Sequence, residues 1–99
     1  MASPRTRLDD VIHSPVRFSI MAVLSKADRA EFAFVRDAIE VSDSVLSKQA
    51  SALEAAGYIR IEKGHVGKRP RTWFVVTSKG DKAYRAHVAA LRELVDGAV

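Results

Sequence analysis

Apolar positions recur with two different periods along this chain, and the change falls near residue 58. Before that point the period is helical. Val16, Ile20, Val23 and Leu24 stand at i, i+4, i+7 and i+8, one stripe of a helix that ends near Lys26. Ser14 suits its N-cap and Pro15 its first position, where no backbone donor is needed. The segment "DRAEFAFVRDAIE" predicts a second, shorter helix with Val35, Ala38 and Ile39 on the buried face. Phe32, just before it, belongs to a short strand or anchors a loop. A third helix is predicted in "VSDSVLSKQASALEAAGY", with Leu46, Ala50 and Leu53 inward and Gly57 as its stop. Ser42 or Asp43 caps it, and Asp43 also sits well at the positive end of the helix dipole.

After residue 58 the period is two. Ile59 and Ile61 alternate with Arg60 and Glu62, and Phe74 and Val76 alternate with Trp73 and Val75. The glycines and proline between these runs make them a hairpin. Trp73 then lies on the face opposite Phe74 and is expected to pack under a loop or a partner subunit. The helical period returns after Thr77 or Ser78, either of which caps a last helix with a stripe of Tyr84, Val88, Leu91 and Val95, widened by Leu94. Residues 1–7 are expected to be a flexible basic tail, and 8–99 a single domain without internal repeats.

Composition narrows the chemistry. The 99 residues include no cysteine, which excludes disulfide frameworks, thiolate zinc sites and cysteine nucleophiles. His13, His65 and His87 are scattered and show no ligand spacing, so no metal site is expected. Asp9, Asp10 and His13 lack a nucleophile motif or phosphate-binding loop, and read as a surface cluster rather than a catalytic one. No enzyme activity and no cofactor are expected. No apolar run approaches the ~20 residues of a membrane span. The start "MASPRTRLDD" lacks the apolar core of a signal peptide, so an unprocessed, cytoplasmic chain is expected, away from membranes. The net charge of +4 favours an anionic partner.

Where that charge sits is more informative than its sum. "GHVGKRPR", residues 64–71, carries Lys68, Arg69 and Arg71 without an acid. Gly64 and Gly67 are expected to supply unusual backbone angles for a tight turn, and Pro70 to stiffen it. Upstream, a helix pair joined by a tight turn is a helix-turn-helix arrangement, whose second helix enters the DNA major groove. On that helix Ser44, Ser47, Lys48 and Ser51 project away from Leu46 and Leu53. Lys48 offers a charge to phosphate or a guanine edge, and the serine hydroxyls donate or accept. The basic turn would reach flanking phosphates or the adjacent minor groove, with Arg69 and Arg71 the strongest candidates for insertion.

"SDSVLSKQASALEAAGYI" followed by "KGHVGKRPRTWFVVTSKG" resembles the winged-helix transcriptional regulators of the MarR-like and ArsR-like superfamily. The resemblance covers roughly residues 8–95 and is nearest to the small MarR-like group, in which one winged-helix unit makes up nearly the whole chain. It implies an α+β winged helix-turn-helix fold: a three-helix core, a two- or three-stranded β-wing and a C-terminal helix. It gives Ser44, Ser47 and Lys48 the recognition-helix role, and Lys68, Arg69 and Arg71 the wing role. It further implies a homodimer that represses promoters by occupying two-fold symmetric double-stranded DNA sites.

Two departures from the family pattern stand out. Glu40 occupies a turn position where relatives often carry glycine, so a distorted turn or a shifted helix boundary is expected. Ala50, Ser51 and Ala52 replace bulky or basic residues, leaving Lys48 as the helix's one cation and moving affinity onto the wing.

Dimerisation is expected through the last helix, about 79–96, by Tyr84, Val88, Leu91, Leu94 and Val95, helped by Leu8, Val11 and Ile12. The functional expectation is a sequence-specific regulator with the recognition helix at about 43–56 in the major groove and the wing at 64–71. The alternative is a winged-helix module that binds protein and not DNA. A chain this short leaves little room for a small-molecule effector pocket.

Overall fold

The structure is a computed structural model that describes residues 2–97. Helices α1 (Pro15–Leu24), α2 (Phe32–Ile39) and α3 (Asp43–Ala55) precede a hairpin of β2 (Ile59–Val66) and β3 (Arg69–Val76), and α4 (Ser78–Val95) follows it. A short strand β1 (Ala30–Glu31) pairs with β3, so the antiparallel sheet runs β1-β3-β2. This is the α+β winged helix-turn-helix expected, with the three-stranded form of the wing. The outer ends of the expected tail and domain, residues 1 and 98–99, lie outside the described residues.

The core forms where the two periods meet. Ile20, Met21 and Leu24 of α1, Val35 of α2, and Leu46, Ala50 and Leu53 of α3 are fully buried against Ile59 and Phe74 of the sheet. Burial of each such large side chain contributes about 1.5–3 kcal/mol, which holds the helix-turn-helix and the sheet as one body. Arg17 adds a polar tie from α1, donating to the Val11 carbonyl and, at 2.7 Å, to Gln49 of α3.

The second helix takes in Phe32, expected to stand just before it. Ala30 and Glu31 pair with Phe74 and Trp73, and Phe32 becomes the first residue of α2, its ring 5.7 Å from that of Phe74. The inward stripe is consequently Phe32, Val35 and Ile39, and Ala38, expected to be buried, falls on the other flank and is exposed. Glu40 closes α2 in the left-handed region, at φ 57° and ψ 54°. The turn keeps its shape, and glutamate bears the strain. Glu40→Gly removes a left-handed penalty of about 1–2 kcal/mol and gives back part of it as chain entropy. A net gain of about 0.5–1 kcal/mol is expected, visible as a melting temperature higher by several degrees.

The N-terminal segment also departs from expectation. Pro4–Arg7 is a 3-10 helix, started by the Ser3 hydroxyl accepting from the Arg5 N–H at 3.2 Å and by Pro4 at its first position. It packs along α4 with Pro4 buried and Arg7 ion-paired to Glu93. Ile12, expected to assist dimerisation, is fully buried in the protomer's own core, and Val11 packs against that core.

Asp9 is structural, not part of a loose surface cluster. One carboxylate oxygen accepts from the Val11 and Ile12 N–H groups at 2.9 and 3.1 Å, and the other accepts from the Tyr58 hydroxyl. That bond, with burial and the carboxylate charge behind it, pushes the Tyr58 hydroxyl up to about 12. The Asp9 N–H donates to Nδ1 of His87 at 2.9 Å.

His87 is fully buried on α4, its ring 5.3 Å from that of His13. Burial, and secondarily the charge on His13, holds His87 below its ordinary value, only partly offset by Asp9. The native state therefore takes up this proton later than the unfolded chain, and stability falls as pH drops below about 6.5. His87→Asn keeps an acceptor near Nδ1 but cannot protonate. Urea midpoints of the parent should fall between pH 8 and 5.5 more steeply than those of His87→Asn, and parallel curves would remove His87 from the pH dependence.

α4 is anchored by its start. The Thr77 hydroxyl accepts from the Gly80 N–H at 3.0 Å and donates to the Gly57 carbonyl at 2.7 Å. Gly80, His87 and Ala90 form the buried face. The stripe read from the sequence lies to one side of it: Tyr84, Val88 and Leu91 are half-buried, Leu94 is 37% exposed and Val95 83% exposed.

Candidate nucleic-acid interface

α3 presents two chemically distinct faces. Leu46, Ala50 and Leu53 are buried, and Ser44, Ser47, Lys48 and Ser51 are all exposed on the outer side. The Ser42 hydroxyl caps the helix by accepting from the Val45 N–H at 3.2 Å. Arg36 of α2 reaches Asp43 at 2.9 Å and Asp37 at 3.0 Å, so the acid in the first turn of α3 is neutralised. Among the described residues Lys48 has no ion-pair partner.

The hairpin is longer and its turn tighter than "GHVGKRPR" suggested. Val66 pairs with Arg69, which leaves Gly67 and Lys68 as a two-residue turn, with Gly67 at φ 62°. Positive φ at the first turn position is the geometry that favours glycine there in a tight hairpin. The Thr77 N–H donates to the Tyr58 carbonyl at 3.0 Å, so Tyr58 and Thr77 form a hydrogen-bonded pair. Counting alternately from it makes His65–Pro70 a non-bonded pair, and Pro70 removes no ladder hydrogen bond.

Gly64 lies within β2 and serves a different purpose from the turn: a Cβ there would come within 3.1 Å of the Trp73 ring. Trp73 is covered on its ring face by the Arg29 guanidinium, 4.0 Å from the centroid, in the loop before β1.

The three wing cations named from the sequence separate. Lys68 and Arg69 are exposed, with no ion-pair partner among the described residues. Arg71 is half-buried and bound to Glu31 of β1 at 2.6 Å. On the same outer face of the sheet Glu62 lies 3.6 Å from Arg29 and 3.7 Å from Arg60.

Between α3 and the sheet runs a groove of about 260 Å³. Phe32, Ala50, Ile61 and Phe74 form its apolar floor, and Ser47, Ser51, Lys63 and Thr72 its polar rim. It brings two of the predicted α3 residues, Ser47 and Ser51, to the same opening as the wing. Lys63 is a residue that the sequence reading passed over. Its signal was there: it has the parity of Ile59 and Ile61, so a cation continues the inward face of β2.

Residues 16–95 match the family model described as a winged helix DNA-binding domain. A curated relative, the uncharacterised protein MJ0432 of Methanocaldococcus jannaschii, is 25% identical over 84 residues, 85% of this chain and 91% of the relative. The transcriptional regulator homologue of Pyrococcus horikoshii OT3 is similar in structure, with a TM-score of 0.82 and 25% identity over 88% of this chain and 86% of that one. A protein of Enterococcus faecalis V583 assigned to the MarR family of transcriptional regulators shares the fold, with a TM-score of 0.74 and 19% identity over 88% and 77% of the two chains. With 80 consecutive residues matched, from the helix-turn-helix through the wing and into α4, the chain belongs to the winged helix DNA-binding domain family.

Proposed function

We propose that the protein is a sequence-specific double-stranded DNA-binding transcriptional regulator, acting in the cytoplasm as a homodimeric repressor. α3 enters the major groove, where Ser44, Ser47, Lys48 and Ser51 meet base edges and phosphates. The wing tip, with Lys68 and Arg69, reaches flanking phosphates and the adjacent minor groove. The observation that carries this reading is the shared groove: the exposed face of α3 and the inner face of the wing open onto one cleft lined by Ser47, Ser51, Lys63 and Thr72. Two surfaces meant for one duplex need that arrangement.

The dimer reading rests on the end of α4. Leu94 and Val95 are exposed, with Tyr84, Val88 and Leu91 beside them, and a second copy of the chain would cover this apolar strip. A two-fold dimer presents its recognition helices about 34 Å apart, one duplex turn, and excludes polymerase by occupancy.

Selection of bound fragments from the source genome, followed by anisotropy titration, tests the proposal. Selected sites are expected to be two-fold symmetric, with half-sites about 10 base pairs apart, and to bind at least 10³-fold more tightly than random duplex. Equal affinity for both would contradict sequence-specific regulation.

A further inference from the structure

In B-form DNA one sugar–phosphate backbone separates a major groove from the minor groove next to it. A protein that places a helix in the first and a hairpin tip in the second must straddle that backbone. In this molecule the space between helix and hairpin is the groove of about 260 Å³. Resting on the DNA-binding reading above, we infer that this groove seats one sugar–phosphate unit of the intervening strand, with Lys63 as the phosphate ligand.

The lining has the right chemistry in the right places. Phe32 and Ile61, with the buried Phe74 beneath them, form a floor that suits the apolar C–H face of a deoxyribose. The Ser47, Ser51 and Thr72 hydroxyls stand on the rim as donors for phosphate oxygens. Lys63 supplies the one positive charge in the lining, which includes no acid. A lysine ammonium binds phosphate as a point charge without the fixed fork geometry of arginine, and suits a ligand approached from one side.

Lys63 is exposed, and its place on the inner side of β2 sets it at the groove. Its parity along β2 is that of Ile59 and Ile61, which face the core, so its stem is directed to the inner side of the sheet. On the outer side of the sheet, away from the hairpin tip, Arg60 and Arg29 pair with Glu62, and Arg71 with Glu31, while Arg69 at the tip has no carboxylate partner among the described residues. Lys63 has none among the described residues. Thr72, its cross-strand partner, completes a polar pair where the sheet emerges from under α3. The contact carries no sequence information. It fixes the register of α3 in the major groove, as phosphate contacts generally do.

The test is the salt dependence of full-length protein binding to a fluorescein-labelled mixed-sequence duplex, for the parent and two lysine variants. Lys63→Met keeps the stem and removes the charge. Lys82→Met removes an exposed charge from α4 as a control for net charge. Lys63→Met is expected to lower the slope of log K against log salt by about 0.9 per protomer engaged, and Lys82→Met to leave it unchanged. Ser51→Leu fills the groove at constant charge and is expected to weaken binding about tenfold or more, with unchanged far-ultraviolet circular dichroism. Matching slopes for Lys63→Met and Lys82→Met, in a parent that binds duplex, overturn the inference and leave the DNA-binding reading intact. A parent that binds no duplex at low salt overturns both.

Discussion

Gly80→Ala is expected to lower stability by about 3 kcal/mol, although glycine to alanine inside a helix usually gains ~1 kcal/mol. A Cβ on Gly80 would stand 2.0 Å from the Tyr58 carbonyl oxygen and 2.8 Å from its carbon. Those are backbone atoms, so no rotamer change relieves the overlap. Neither side is free to withdraw. The Tyr58 carbonyl accepts the Thr77 N–H, the Tyr58 hydroxyl is bonded to Asp9, and the Thr77 hydroxyl grips Gly57. Helix propensity and packing thus predict opposite signs at one residue. A melting temperature lower by about 15 °C supports the packing account, given the steep dependence expected of a domain this size. An increase would mean that α4 slides freely on the start of β2, and that the close approach of Gly80 is not a fixed point of the fold.

The second large effect concerns the wing. Lys68→Ala with Arg69→Ala is expected to flatten the salt dependence of duplex binding by about 1.8 units of slope, the release of two phosphate contacts per engaged wing. At about 0.1 M salt that corresponds to an affinity loss of one to two orders of magnitude. Arg71→Ala is expected to change the slope less than either single substitution, because Glu31 already compensates its charge at 2.6 Å. Equal slopes for Arg71→Ala and Arg69→Ala would show that the Glu31 pair opens on DNA and frees a third cation. Isotherms at four or more salt concentrations are sufficient, since the comparison is between slopes and not between absolute affinities.

The parts of this fold legible in the sequence are those written as a local period. The inward face of α3, Leu46, Ala50 and Leu53, and the alternation of Ile59, Ile61, Phe74 and Val76 were readable because a helix and a strand each impose a fixed spacing on buried residues. The caps at Ser42 and Thr77 were readable for a similar reason: a short polar side chain stands where the first free N–H groups need an acceptor. Exposure of Ser44, Ser47, Lys48 and Ser51 follows directly from the opposite face.

What escaped depends on contacts between distant residues. Asp9 and His87 are 78 positions apart, and no periodicity links them. The 3-10 helix at Pro4–Arg7 was signalled by Ser3 and Pro4, but its persistence depends on packing along α4, which only the tertiary fold provides. The buried face of α4 runs through Gly80, His87 and Ala90, and small or polar residues do not announce a core position. The larger apolar side chains of α4 drew attention to the neighbouring strip instead. At the wing, Arg69 and Arg71 read from the sequence as the strongest candidates for insertion, and only the position of Glu31 on the adjoining strand separates Arg71 from Arg69. Lys63 was missed because a lysine in a strand ordinarily marks the solvent face, and its inward parity mattered more than its charge.

Dimethyl sulfate footprinting on a selected operator addresses the central claim most directly, because the reagent modifies guanine N7 in the major groove and adenine N3 in the minor groove. With the parent protein, guanines at the centre of each half-site and adenines about half a turn outward are expected to be protected together. Lys68→Ala with Arg69→Ala should expose the adenines and leave the guanines covered at saturating protein. Protection confined to one groove, or guanine and adenine protection lost together in the wing variant at saturation, would contradict the two-groove grip.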